Sequence, residues 1–246
     1  MEYAPIVCFG FDRPLHLKRM LETLEKNKEA AESNLFICID GPKDTTDKEL
    51  HSQTLKIANE KYNFKKISII ERSNNLGLRN NIVQTITEVM NKFDRVIVLE
   101  DDLIIGPNFL NYMNNALSKY RDNNQVWHIN GYCYPQINNS KKSSFAHYIS
   151  PWGWGTWRAK WDLFINGEYF HQNLISQLSK EDINRFNIFG HYDWENILIK
   201  TKSGSVNSWA AFWYQAIFLN DGLSLFPNKS HTQNGGFDGT GEHCSD

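Results

Sequence analysis

No apolar run among the 246 residues approaches the roughly 18–20 that a membrane-spanning helix needs, so no such helix is expected. Neither sign of charge is in excess. Lys plus Arg number 26 against 28 for Asp plus Glu, and a net charge of −2 offers no broad attraction to nucleic acid or to an anionic bilayer. Cysteine is scarce. The four present, Cys8, Cys38, Cys133 and Cys244, have no C-x-x-C spacing and no histidine at zinc-site distance. That argues against a zinc module and for a reducing compartment. The chain has no G-x-G-x-x-G and no G-x-x-x-x-G-K-[ST], which removes the main support for a dinucleotide dehydrogenase or a P-loop enzyme. Internal repeats and Pro/Ser linkers are absent too. The opening Met-Glu-Tyr-Ala-Pro lacks the basic and apolar regions of a signal peptide. The expected location is the cytoplasm, at most peripheral at the inner membrane, unless the chain is a domain of something longer.

What is present reads as a folded α/β chain. Hydrophobic residues make up 41% and charged residues 22%, an ordinary globular balance. Four short apolar runs, Ile6–Phe9, Leu35–Ile39, Ile67–Ile70 and Val96–Leu99, are apolar on both faces, as parallel strands under helices are. Between them lie helical stripes. Pro14 opens one with Leu17, Met20, Leu21 and Leu24; Thr46 and Glu49 have capping-box spacing before Leu50 and Ile57; Ile82, Ile86, Val89, Met90 and Phe93 form a third. The alternation predicts a doubly wound, mostly parallel sheet flanked by helices in a single domain. Beyond Asp102, Pro107 opens a helix through Leu117 and Val126–Ile129 reads as a strand. Residues 135–147 read as loop, and 156–164 and 181–200 as helical.

Two features point to chemistry. Glu100-Asp101-Asp102 follows directly on a buried strand, where open α/β sheets place their ligands. Three adjacent carboxylates repel one another, so a cation or strong donor is expected there, and Mg²⁺ or Mn²⁺ suits a set completed by phosphate and water. The plain alternative is a solvated acidic turn. All eight tryptophans fall in the second half of the chain. Half of them are expected in the core, with the remainder free to stack on flat apolar faces such as those of a sugar. The tail from Asn234 to His243, with four glycines in ten residues, reads as a mobile loop.

Residues 95–113, Arg-Val-Ile-Val-Leu-Glu-Asp-Asp-Leu-Ile-Ile-Gly-Pro-Asn-Phe-Leu-Asn-Tyr-Met, resemble the metal-binding segment of the N-acetylglucosaminyltransferase I family and its bacterial sugar-transferase relatives, glycosyltransferases of the GT-A fold. Ile6–Arg13 resembles that family's first strand and nucleotide loop, and Ile39-Asp40-Gly41 its second. Pro151-Trp152-Gly153-Trp154-Gly155 resembles its sugar-side loop, and Tyr192-Asp193-Trp194 its catalytic-base segment. The likeness is patchy, but the segments stand in the right order over most of the chain.

The resemblance implies a GT-A (Rossmann-like) domain over 1–246. Residues 1–105 would bind the nucleotide sugar, and 106–246 would face a glycan or glycolipid acceptor. Asp102 would ligate Mn²⁺ or Mg²⁺ on the donor diphosphate, with His243 as a second ligand. Glu100 and Asp101 would contact donor sugar and ribose, and Arg13 and Asp40 the uracil end. An Asp accepts the imide N–H that uracil has and cytosine lacks, which favours a UDP-sugar. Trp152, Gly153 and Trp154 would flank the sugar. Arg79, after the turn-prone Asn74-Asn75-Leu76-Gly77, would reach a phosphate; a helix-surface arginine is the alternative. Inversion needs a base on the far face of the sugar. Asp193 is the first candidate and Glu195 the second, since partial burial among aromatics raises a carboxylate. The anchor-free, Lys-, Asn- and Ile-rich chain suits a bacterial enzyme of surface-polysaccharide synthesis. Two other readings compete. A nucleotidyltransferase wants a Gly-rich first loop that Gly10–Pro14 is not, and a carbohydrate-binding module leaves the acids unexplained.

Overall fold

The computed structural model describes residues 2–44, 47–134, 142–170 and 174–238. Strand β1 (Ile6–Gly10) leads into α1 (Pro14–Leu24), β2 (Asn34–Ile39), α2 (Lys48–Ala58), β3 (Lys66–Glu71), α3 (Gly77–Met90) and β4 (Arg95–Glu100). The chain continues through β5 (Leu103–Ile105), α4 (Phe109–Lys119), β6 (Val126–Asn130), β7 (Ser144–Ala146), β8 (Trp154–Trp157) and α5 (Arg158–Asn166). It ends with α6 (Lys180–Phe186), α7 (Trp194–Lys202), α8 (Trp209–Leu219), β9 (Leu223–Phe226) and β10 (Thr232–Asn234).

Eight strands form one sheet in the order β3-β2-β1-β4-β8-β6-β9-β7, while β10 and β5 form a separate antiparallel pair. Pairing is parallel from β3 to β4 and between β6 and β9; β8 runs antiparallel to both its neighbours, and β7 to β9. This is the mostly parallel, helix-flanked α/β fold that the sequence predicts.

Both faces of the sheet are covered, which explains the continuous apolar runs. Ile6 and Cys8 of β1, with Ile97 and Leu99 of β4, pack under α1 and α4. Val7, Phe9, Val96 and Val98 pack on the opposite face under α3 and α8. Among the described residues no helix is long and apolar enough to cross a membrane.

Several local readings change. Ser144–Ala146, read as loop, pairs with β9, and residues 135–141 lie outside the described residues. Thr156 and Trp157 belong to β8 rather than to a helix, because they complete the pairing with β4; the helix starts at Arg158. The helical stretch 181–200 is two helices, broken by left-handed backbone at Ile188 and Phe189. Thr46 lies outside the described residues, and α2 begins at Lys48 after Asp47.

Candidate functional site

Register brings three loops to one level. Gly10 of β1 stands opposite Ile39 of β2, and Phe9 opposite Glu100 of β4. From β1 the chain builds outward through β2 and β3 on one side, then crosses to β4 on the other. Loops diverge at such a switch point and leave a crevice beyond the carboxyl ends of the strands. A cleft of about 1110 Å³ lies there. Phe11, Asp12 and Arg13 line it after β1, Asp40 after β2, and Glu100, Asp101 and Asp102 after β4. The second half of the chain adds Trp152, His191, Tyr192, Trp209 and Phe237.

Arg13 spans the switch point. Its guanidinium donates to Asp101 Oδ1, and its Nη1 stands 3.9 Å from Asp102 Oδ2. One guanidinium thus meets two of the three consecutive acids. Burial pushes Asp101 up to about 7 despite Arg13, and Asp102 adds like-charge repulsion. Glu100 is pushed up to about 8 by burial and then by Asp102 and Asp101, against Arg13 and a hydrogen bond from the Trp209 side chain. Such a cluster favours added positive charge. Among the described residues no group of three His, Cys, Asp or Glu converges into a metal cage. Hard carboxylate oxygens of this kind suit a divalent ion such as Mg²⁺ or Mn²⁺ whose shell is completed by phosphate oxygens and water.

Asp40 is 5% exposed and braces two loops. Its Oδ1 accepts from the backbone N–H of Gly41 and of Leu76, both at 2.9 Å, and His51 Nε2 donates to its carbonyl at 2.9 Å. Asn75 Nδ2 donates to the Gly41 carbonyl at 2.7 Å, and a Cβ on Gly41 would run into the Asn74 backbone. The approach of these two loops is why glycine stands there.

The tryptophan excess is mostly core. Seven of the eight are buried; Trp152 is half-buried and lines the cleft, as Trp194 and Trp209 do, and stands in edge contact with Tyr132 and Phe237. Trp154 stacks between His128 and Trp209, with ring centroids 5.2 and 4.8 Å away. Gly153 has φ +77°, and a side chain there would meet Thr232 at 2.9 Å. Trp154 and Gly153 thus shape the cleft from behind instead of lining it. His128 holds the loop that carries Trp152. Trp213 Nε1 donates to His128 Nδ1 at 3.1 Å, so the ring hydrogen sits on Nε2 and is donated to the Ser150 carbonyl at 3.2 Å.

Other expected residues fall away from the cleft. Arg79 donates to the Thr201 carbonyl at 3.5 Å and lies over the Phe212 ring, so it clamps α3 to the helices on that face. Asp193 is exposed and caps α7, accepting from Asn196 N at 3.2 Å. Glu195 is tied to Asn187, whose Oδ1 accepts from the Glu195 N–H at 2.9 Å. Neither lines the cleft. His243 lies outside the described residues.

The described end of the tail is pinned beside the acids. Gly235 N donates to the Asp102 carbonyl at 2.8 Å, a Cβ on Gly236 would meet Asp102 Oδ2 at 2.9 Å, and His16 Nε2 pairs with Asp238 Oδ2 at 3.0 Å. Phe237, 70% exposed, stands at the cleft. His191 carries no motif, and Tyr192 and Phe237, though inside segments read from the sequence, were not singled out there as site residues.

No protein-family model matches the chain, and no curated protein matches it. Among solved structures it is similar to S. aureus TarS, at 11% identity and a TM-score of 0.52, over 94% of this chain and 36% of TarS. What the two share is a fold. Two weaker likenesses are the mannosyltransferase PcManGT from Pyrobaculum calidifontis in complex with GDP-Man and Mn²⁺ (12% identity, TM-score 0.47, 67% of this chain and 47% of that one) and a cytidylyltransferase from Leptospira borgpetersenii (11%, 0.43, 71% and 70%). The chain spans just under half the length of the mannosyltransferase and about a third of that of TarS.

Proposed function

We propose that the chain is a metal-dependent, inverting glycosyltransferase that moves a sugar from a UDP-sugar to a hydroxyl of a glycan or glycolipid. The observation that carries this reading is the meeting of Arg13 with Asp101 and Asp102 across the switch point, beside Asp40, in a cleft large enough for a nucleotide sugar. A phosphate-bearing ligand in that crevice needs positive charge, and the acids suit a divalent ion that arrives with the diphosphate.

Asp102 would hold Mn²⁺ or Mg²⁺; the second ligand expected from the sequence, His243, lies outside the described residues. When bound, that ion stabilises the negative charge that grows on the departing diphosphate. Arg13 lies against the acids, so its donor contact is on the diphosphate side of the cleft. Asp40 keeps Oδ1 on the Gly41 and Leu76 N–H groups and offers Oδ2 to the uracil imide. Glu100 and Asp101 face ribose and sugar, and Trp152 stacks on a sugar face. Residues 1–105 thus carry the donor, and 106–246 the acceptor side. A bacterial enzyme of surface-polysaccharide synthesis, working in the cytoplasm with at most peripheral membrane contact, is the setting this chemistry suits.

Incubation with a panel of UDP-sugars, Mn²⁺ and either water or saccharide acceptors tests the reading. UDP release is the expected result. Pyrophosphate release would mean nucleotidyl transfer, and saccharide binding without turnover would mean a binding module.

A further inference from the structure

The proposed reaction needs an acceptor for the hydroxyl proton, and the two carboxylates favoured by sequence do not line the cleft. We propose that His191 takes that proton. This inference rests on the glycosyl-transfer reading and names one further residue of the same site.

The segment before α7 has an unusual backbone. Ile188 (φ +51°) and Phe189 (φ +54°) are left-handed, and Gly190 (φ +82°) follows them. Left-handed backbone is disfavoured for residues with a side chain, above all for a β-branched one, and persists only where the surroundings over-determine it. Asn187 does so here. Its carbonyl accepts from Gly190 N at 3.0 Å and Tyr192 N at 3.2 Å, and its side chain holds Glu195 N at 2.9 Å. Behind the turn, Tyr192 packs on Trp194 (4.9 Å between ring centroids) and Trp194 on Tyr214 (4.8 Å). The result is a braced turn whose side chains at 188, 191 and 192 reach the cleft while those at 193 and 195 do not.

Among the described residues His191 is the one imidazole that lines the cleft. The carboxylates there, Asp12, Asp40 and the three acids after β4, all come from the donor half. Tyr192 is the other polar side chain of this turn at the cleft, and burial raises its phenol, which makes it a poor proton acceptor as a neutral side chain. Imidazole is the side chain suited to accept a proton near neutral pH and release it again.

The step balances. The acceptor oxygen bonds to the anomeric carbon, and its proton moves to a ring nitrogen of His191. The bond from that carbon to the diphosphate oxygen breaks, and its electron pair leaves with UDP. The imidazolium then returns its proton to water.

The test uses the whole chain and the UDP-sugar found to turn over. His191→Gln should keep the wild-type melting temperature, because the side chain is exposed, and should bind UDP with Mn²⁺ within about twofold of wild type. Its kcat should fall by roughly 10²–10⁴, the usual contribution of a positioned base. His191→Ala should recover at least about tenfold with imidazole added to the buffer, which a structural role would not allow. Asp193→Asn should stay near wild type. The inference is overturned if His191→Gln keeps kcat within about threefold, or if imidazole rescues nothing and Asp193→Asn is the inactive variant. A wild-type chain that binds UDP but releases none from any UDP-sugar fails the transfer reading and this one with it. An active wild type with an active His191→Gln fails this one alone.

Discussion

His128 gives the sharpest energetic prediction. It is fully buried, and burial pushes its imidazole down to about 3 from an ordinary 6.5. The folded chain therefore keeps this ring neutral over a range in which the unfolded chain protonates it. The associated stability is complete above about 6.5 and is lost as pH falls toward 3. Each pH unit in that window costs about 1.4 kcal/mol, so at pH 4.5 the wild type has lost roughly 2.7 kcal/mol through this one residue. His128→Phe keeps a ring between the strands but leaves Trp213 Nε1 and the Ser150 carbonyl unpaired. Each buried unpaired group costs about 1–3 kcal/mol, so the variant should be roughly 2–6 kcal/mol less stable at pH 7. Phenylalanine does not titrate, so the gap should close by about 2.7 kcal/mol at pH 4.5. Urea unfolding of both chains at the two pH values measures it, and every other titration cancels in the difference. A gap that stays constant or widens toward acid refutes the account of a buried neutral imidazole.

Four further outcomes are expected. In EDTA, Glu100→Gln should stabilise the chain at pH 8 by roughly 2–4 kcal/mol and by less than about 1 kcal/mol at pH 5, because a raised carboxyl loses stability as pH climbs from about 4.5 to about 8; urea melts at both values read it. Asp193→Ala should cost about 1 kcal/mol through loss of the α7 cap, whereas Asp193→Asn should be nearly neutral in the same melts. Phe189→Asn should raise stability by about 0.5–1 kcal/mol, since asparagine tolerates left-handed backbone and the phenyl ring is 68% exposed. Gly153→Ala should lower it by at least about 1–2 kcal/mol, for both its positive φ and its contact with Thr232, and calorimetry should show the lower melting temperature.

The first half of the fold was legible because its signals are local and agree. Runs apolar on both faces became β1 to β4, and Leu17, Met20, Leu21 and Leu24 became the buried stripe of α1. Beyond the helix α4 and the strand β6, which the sequence did show, parts of the second half hid for physical reasons. Helix α8, Trp-Ala-Ala-Phe-Trp-Tyr-Gln-Ala-Ile-Phe-Leu, is buried almost all round and so has no polar face to set a period. The strands β5, β7 and β10 are three residues each, too short to alternate visibly, and are made by their partners.

The same divide runs through the site. Arg13, Asp40 and Glu100 to Asp102 sit at strand ends, so finding the strands placed them in the cleft. Asp193 caps α7 and Glu195 stands in its first turn, and the direction of that helix end depends on Asn187 and on the left-handed pair at 188 and 189. No periodicity encodes which of its side chains face inward. The two readings of Arg79 stayed open for a similar reason. Its helix was correctly read, but its partner at Thr201 is distant in sequence.

The central claim is that a nucleoside diphosphate binds beyond the carboxyl ends of β1, β2 and β4 with a divalent ion held by Asp102. Calorimetric titration of UDP into the whole chain, with Mn²⁺ and then with EDTA, tests it most directly, with Asp102→Asn as the paired variant. The account predicts saturable one-to-one binding that Mn²⁺ strengthens at least about tenfold and that Asp102→Asn reduces to the metal-free level while its melting temperature holds. Absence of UDP binding under both conditions, or binding indifferent to both Mn²⁺ and Asp102, would contradict it.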